Sequence, residues 1–160
     1  MTASARWDTR SALEAVSVAG DGGVTGYDLS RAPAATQYLG QSMAVIARRF
    51  SPTLVLSLAD PHDAVLAHII ATEMGIDRSV IYVDLGLLGM SPQPLLPRRV
   101  ILVGTALGGQ PLDPIASLLD RGGHTFVAAI ALTSPAGLAS RPCAAAGGVA
   151  TVILDWLAQG

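Results

Sequence analysis

Two apolar rhythms alternate along the chain. Thr53 to Leu58, Val80 to Val83, Val100 to Val103, Phe126 to Leu132 and Val149 to Leu154 are short, nearly continuous apolar runs, the pattern of strands buried on both faces. Between them the spacing becomes helical. Ala64 to Met74 places Val65, Leu66, Ile69, Ile70 and Met74 on one face before Gly75 stops it, and Pro114 to Asp120 turns Ile115, Leu118 and Leu119 inward before Gly122-Gly123, where glycine supplies the conformation that ends a helix. Ahead of these units, Leu39, Met43, Ile46 and Phe50 recur at helical spacing and predict a helix over Ala34 to Phe50 that covers one sheet face. Between Val16 and Tyr27, apolar-alternating stretches flank Asp21-Gly22-Gly23 and predict a hairpin. The expected fold is α/β: a doubly wound, mainly parallel sheet of about five strands. Residues 1–160 read as a single domain, with a hood-like segment over 1–32 and an α/β core over 33–160.

Composition narrows the classes of protein this can be. With 160 residues, 51% hydrophobic and 14% charged, the chain has material for one sizeable core and is no disordered polyelectrolyte. Cys143 is the single cysteine, which excludes an internal disulfide framework and a cysteine-based zinc module. All ten basic residues are Arg, the net charge is −2, and only Arg48-Arg49 and Arg98-Arg99 are adjacent. No basic stripe exists to release counterions from a nucleic acid, so none is expected as a partner. The longest uncharged interval, Gly122 to Ser140, is broken by Gly, His, Thr, Ser and Pro, whereas a spanning helix needs about 20 apolar residues. Met1 to Asp8 is polar where a secretory signal would be apolar. The expectation is a cytoplasmic protein that does not enter membranes.

Several segments follow one another in a familiar order: the hairpin leading into Gly26-Tyr27-Asp28-Leu29-Ser30-Arg31, the covering helix, the strand-loop-helix Leu54 to Gly75, and Val100 to Leu132. In this order and spacing the chain resembles a small type I phosphoribosyltransferase, nearest in layout to orotate phosphoribosyltransferase. The resemblance implies a Rossmann-like sheet that binds phosphoribosyl pyrophosphate (PRPP) with magnesium, and a dimer. Three departures bear on the chemistry. Where the family places two adjacent acidic residues after the strand to hold the ribose hydroxyls, Val103 is followed by Gly104-Thr105. The phosphate loop reads Ala106-Leu107-Gly108-Gly109-Gln110-Pro111-Leu112, without Lys or Arg and with Asp113 beside it. Asp84 to Pro97, in place of the family's basic mobile loop, has no basic residue. The reading is the family's fold without PRPP, magnesium or any other cofactor.

Candidate chemistry then concentrates at Asp60-Pro61-His62-Asp63, between a strand's carboxyl end and a helix start, where open α/β sheets bind ligands. Two carboxylates and an imidazole suit proton transfer, and Asp60, His62 and Asp63 are the candidate catalytic residues. The plainer alternative makes Asp63 the helix N-cap. Their spacing matches no familiar metal-ligand pattern, so no metal is expected. Tyr27, Arg31, Thr105, Gly108, Gly109 and Gln110 are candidate substrate-binding residues. Arg31 suits a carboxylate clamp or a surface pair with Asp28, Thr105 either orients a substrate or merely terminates a strand, and the glycines suit an anion nest. His68 reads as a solvent-facing helix residue, His124 as part of a helix-to-strand turn, and Cys143 as a small core residue. Leu85 to Met90 reads as an apolar lid or an oligomer contact. Together these features suggest acid/base chemistry on a small, rather apolar, possibly carboxylate-bearing metabolite in specialised metabolism. The alternatives are a non-catalytic ligand-binding or regulatory homologue, and a divergent PRPP-dependent transferase.

Overall fold

A computed structural model of the chain describes residues 6–106, 112–133 and 149–153. The elements are α1 (Thr9–Val16), β1 (Ser17–Gly20), β2 (Gly23–Tyr27), α2 (Pro33–Ala47) with a short 3-10 turn over Arg48–Phe50, β3 (Leu54–Leu58), α3 (Pro61–Met74), β4 (Asp77–Asp84), β5 (Leu87–Ser91), β6 (Arg99–Ala106), α4 (Leu112–Arg121), β7 (Thr125–Thr133) and β8 (Ala150–Ile153). All five expected strands and the three expected helices form. So does the hairpin, whose β1 and β2 pair antiparallel across Asp21-Gly22.

Among the described residues the main sheet has six strands in the order β5-β4-β3-β6-β7-β8. Every neighbouring pair is parallel except β4 and β5. The extra strand is Leu87–Ser91, part of the segment read as a lid or oligomer contact. Leu85 and Gly86, at φ +49° and +79°, turn the chain straight back from β4 to β5. An Asn-Gly pair would have announced this turn, whereas Leu-Gly does not. Helix α1 was also illegible as a period, because it is only 8 residues long. A capping box starts it: the Asp8 carboxylate accepts from the Ser11 amide while the Ser11 hydroxyl accepts from the Asp8 amide.

Both sheet faces are covered. One core joins α1, α2 and α3 to Val55, Ile101, Val103, Ala128, Ile130 and Leu132; the other joins α4, through Ile115 and Leu119, to Leu54, Leu56, Val100, Leu102, Ala129 and Ala131. Alternate residues of each strand thus face opposite layers, as the period of two requires. From β3 the chain passes through α3 to β4 on one side and later returns to β6 on the other. The carboxyl ends of β3 and β6 therefore flank the point where the winding reverses.

Candidate functional site

Helix α3 begins at that reversal. Asp60 has extended backbone, its carboxylate accepts from the His62 amide at 2.9 Å and the Asp63 amide at 3.2 Å, and Pro61 fills the first helical position. Pro61 presets the helical φ and needs no amide partner, so the cap falls on the residue before it. The N-cap is Asp60, not Asp63.

Asp63, freed of capping, turns inward. It is 5% exposed, and its Oδ1 accepts from the Thr105 amide at 2.8 Å and the Thr105 hydroxyl at 3.2 Å. Burial pushes its carboxyl above the usual range; the Thr105 amide pulls it back, the Asp60 charge pushes it up again, and the Thr105 hydroxyl and His62 pull it down. Desolvation dominates, so this carboxyl favours its protonated form more than an exposed aspartate does.

His62 reaches back to the hood. The Leu29 amide donates to His62 Nδ1 at 3.4 Å, and the Leu29 carbonyl accepts from the Thr36 hydroxyl at 2.7 Å. The hood is thereby tied to α3 and α2. In neutral His62 the accepting Nδ1 leaves the proton on Nε2.

Asp60, His62, Asp63 and Thr105 thus converge at the carboxyl ends of β3 and β6. Thr105 serves Asp63 with both its donors, a role that neither substrate orientation nor strand termination describes and that the sequence does not single out. Gly104 matters as well: a Cβ there would stand 3.3 Å from Asp63 Oδ2 and 3.4 Å from its Oδ1. Among the described residues, the other candidates serve the hood or the core. Arg31 donates through Nη1 to the Ser17 carbonyl at 2.6 Å, bracing the hood. Asp28 closes on Ser30, whose amide and hydroxyl both donate to it and hold its carboxyl below the usual range. The alternative Asp28 to Arg31 surface pair is not formed; among the described residues the ion pair is Arg98 to Asp77 at 3.0 Å. Tyr27 packs against the α1/α2/α3 core. Gly108, Gly109 and Gln110 lie outside the described residues, as does Cys143.

His68 is exposed, as its position on the helix predicts. His124 is structural. It lies in the turn between α4 and β7, buried, with Nδ1 accepting the Arg98 amide at 3.1 Å. Among the described residues no group of three His, Cys, Asp or Glu side chains is placed to hold a metal ion, and no helix is long and apolar enough to cross a membrane.

The architecture is that of the type I phosphoribosyltransferases, and the resemblance to orotate phosphoribosyltransferase read from the sequence holds at the level of the fold. A phosphoribosyltransferase from Corynebacterium diphtheriae superposes with a TM-score of 0.70 at 18% identity, over 91% of this chain and 91% of that one. Orotate phosphoribosyltransferase from Mycobacterium tuberculosis, solved with inorganic phosphate, gives 0.70 at 19% identity, over 91% and 84%. Adenine phosphoribosyltransferase from Leishmania donovani gives 0.65 at 13% identity, over 91% and 78%. No protein-family model and no curated protein matches the sequence.

Magnesium-bound PRPP fits the described part of this site poorly. The end of β6 carries Gly104-Thr105 and no carboxylate pair, and the first amides of α3 are taken by Asp60. The exposed Asp60 carboxylate at that helix start opposes a polyanion electrostatically.

Proposed function

We propose that this chain is a phosphoribosyltransferase-fold enzyme that works without PRPP, moving protons on a small, rather apolar metabolite in a cyclisation, rearrangement or addition–elimination of specialised metabolism. The observation that carries the proposal is Asp63: a buried carboxyl pushed towards its protonated form, one residue from an imidazole, at the winding reversal of the sheet. A carboxyl held towards its protonated form is suited to give a proton to a substrate. Asp63 is the general acid, His62 is the partner that takes or relays the proton, and Asp60 starts the helix that presents both. A carboxylate on the substrate loses support, because Arg31 braces the hood.

A second reading, ligand binding without turnover, draws on one observation. Asp60, His62 and Asp63 each already carry a hydrogen bond that the fold uses. The two readings part in one experiment. Incubation with a bacterial metabolite extract, followed by mass spectrometry, should show depletion of a small molecule and growth of an isomer or a water adduct, and Asp63→Asn and His62→Ala should each abolish it. A compound retained by the protein yet unchanged would support the second reading and end the first. A divergent PRPP-dependent transferase predicts thermal stabilisation by PRPP with magnesium; the present proposal expects no shift.

We further propose that the β4–β5 hairpin meets a second copy of the chain. Val83, Leu85 and Leu87 are all exposed there, together with half-exposed Tyr82, a grouping that a lone domain rarely leaves in water.

A further inference from the structure

We propose that Gly104 and Thr105 form a seat for the Asp63 carboxylate and so decide which oxygen does the chemistry: Thr105 fixes Oδ1, and the missing side chain of Gly104 leaves Oδ2 as the proton-carrying atom. The inference deepens the acid/base reading and rests on it for the word chemistry; the seat itself rests on geometry alone. Two donors from one residue, at 2.8 and 3.2 Å, converge on Oδ1. An oxygen that accepts two hydrogen bonds is the poorer place for a proton, so the protonated carboxyl carries its hydrogen on Oδ2. No hydrogen bond to Oδ2 exists among the described residues, and Asp63 keeps a small exposed fraction.

Gly104 is shaped for the same purpose. Its absent Cβ would lie 3.3 Å from Oδ2, slightly inside ordinary van der Waals contact, and 3.4 Å from Cγ and Oδ1, at its edge. A side chain there presses on a carboxylate whose other oxygen is held by Thr105, so the carboxylate must give by a few tenths of an ångström. Gly104 and Asp63 come from different elements, β6 and α3, so the seat joins the two strand ends of the site. At the end of β6 this chain uses glycine and threonine to receive one carboxylate from the neighbouring helix. In the reaction the Oδ2–H bond breaks, its electron pair stays on the carboxylate, and the proton passes to a basic atom of the substrate and is later returned from product or water. The charges facing this group are Asp60 and His62. Gly104 and Thr105 are positioning residues.

Carbon-detected NMR of the full chain, with labelled aspartate and Asp63 assigned through Asp63→Asn, reads the seat without any substrate. Thr105→Val keeps the shape but removes the hydroxyl donor, so Asp63 should titrate at higher pH than in the wild type. Thr105→Ser restores the donor and should return the titration to the wild-type position, which a merely space-filling threonine would not require. Gly104→Ala should shift both the Asp63 carboxyl and the Thr105 amide resonances. Equal titrations for wild type and Thr105→Val, or no recovery in Thr105→Ser, overturn the seat. The outcome is separable from the reading it serves: if the seat behaves as stated but Asp63→Asn leaves metabolite turnover unchanged, the acid/base function fails and the seat stands.

Discussion

Asp60 and Asp63 are three positions apart and have opposite surroundings. Asp60 stays exposed and spends its charge on the helix start, whereas Asp63 is buried and resists ionisation. This difference sets a pH dependence with a definite sign. In the unfolded chain Asp63 titrates in the ordinary carboxylate range; in the folded chain it holds its proton to higher pH. Between those two values the folded state binds more protons, so stability falls as pH rises through that window and the loss is complete above the folded value. Asp63→Asn keeps an oxygen for Thr105 and has no proton to lose. Chemical denaturation across the acidic to neutral range should therefore show Asp63→Asn gaining on the wild type through that window and then running parallel to it. Equal slopes for the two proteins would remove the unusual carboxyl on which the site depends. The cap behaves differently: Asp60→Ala should cost about 1 kcal/mol, the usual value of an N-cap side chain, while Asp60→Asn should preserve stability and let Asp63 ionise more easily.

Between elements, packing decides what composition alone does not. Helices α2 and α3 cross where Gly40 meets Ile69, and a Cβ on Gly40 would lie 2.5 Å from Ile69 Cγ2 and 2.8 Å from Ile69 Cβ. Ile69 is branched at Cβ and cannot swing aside cheaply. Gly40→Ala gains up to ~1 kcal/mol of helix propensity but incurs an overpacking cost of about 1–3 kcal/mol, so the net change should be destabilising. In the Gly40→Ala background, Ile69→Ala should cost less than it does alone, and a double-mutant cycle by urea denaturation measures that coupling; an additive pair would mean the helices do not meet there. The same contact is invisible in the linear chain, and it shows where legibility ends. The strands and long helices were legible because apolar runs and helical periods repeat over many residues, and so was the position of the candidate cluster Asp60-Pro61-His62-Asp63 between a strand end and a helix start. Three features were not. The Leu85 turn has the wrong side chain for its conformation, Thr105 and Gly104 acquire meaning only when α3 brings Asp63 to them from 42 residues away, and Arg31 looks the same in sequence whether it clamps a ligand or braces Ser17.

At the scale of the whole molecule, Leu85 ties strain to exposure. It sits at φ +49°, a conformation that costs a non-glycine residue about 1–2 kcal/mol, and it is 96% exposed, so no packing within the chain offsets that cost. Asparagine suits the turn better, and Gly86 already supplies its second position. For the isolated chain Leu85→Asn should thus raise stability by about 0.5–1 kcal/mol, a reasonable share of the relieved strain. Its neighbours give the leucine another purpose. Leu87 and Val83 are exposed on the same hairpin, and among the described residues β5 ends the sheet with one edge unpaired. Leu87–Ser91 carries neither a charge nor a proline, two of the devices that keep an edge strand from receiving a further strand. If a second copy covers this hairpin, the strain at Leu85 is offset by burial in the interface, and the two effects of one substitution must oppose each other. Sedimentation of Leu85→Asn over a range of concentrations should show weaker self-association at the same time as denaturation at low concentration shows a more stable chain. Leu85→Asp with Leu87→Asp should give monomers that keep their fold. A wild type that is monomeric at all concentrations, or a Leu85→Asn variant that gains stability with association unchanged, would leave the apolar hairpin to some other partner and remove the second copy from the proposal.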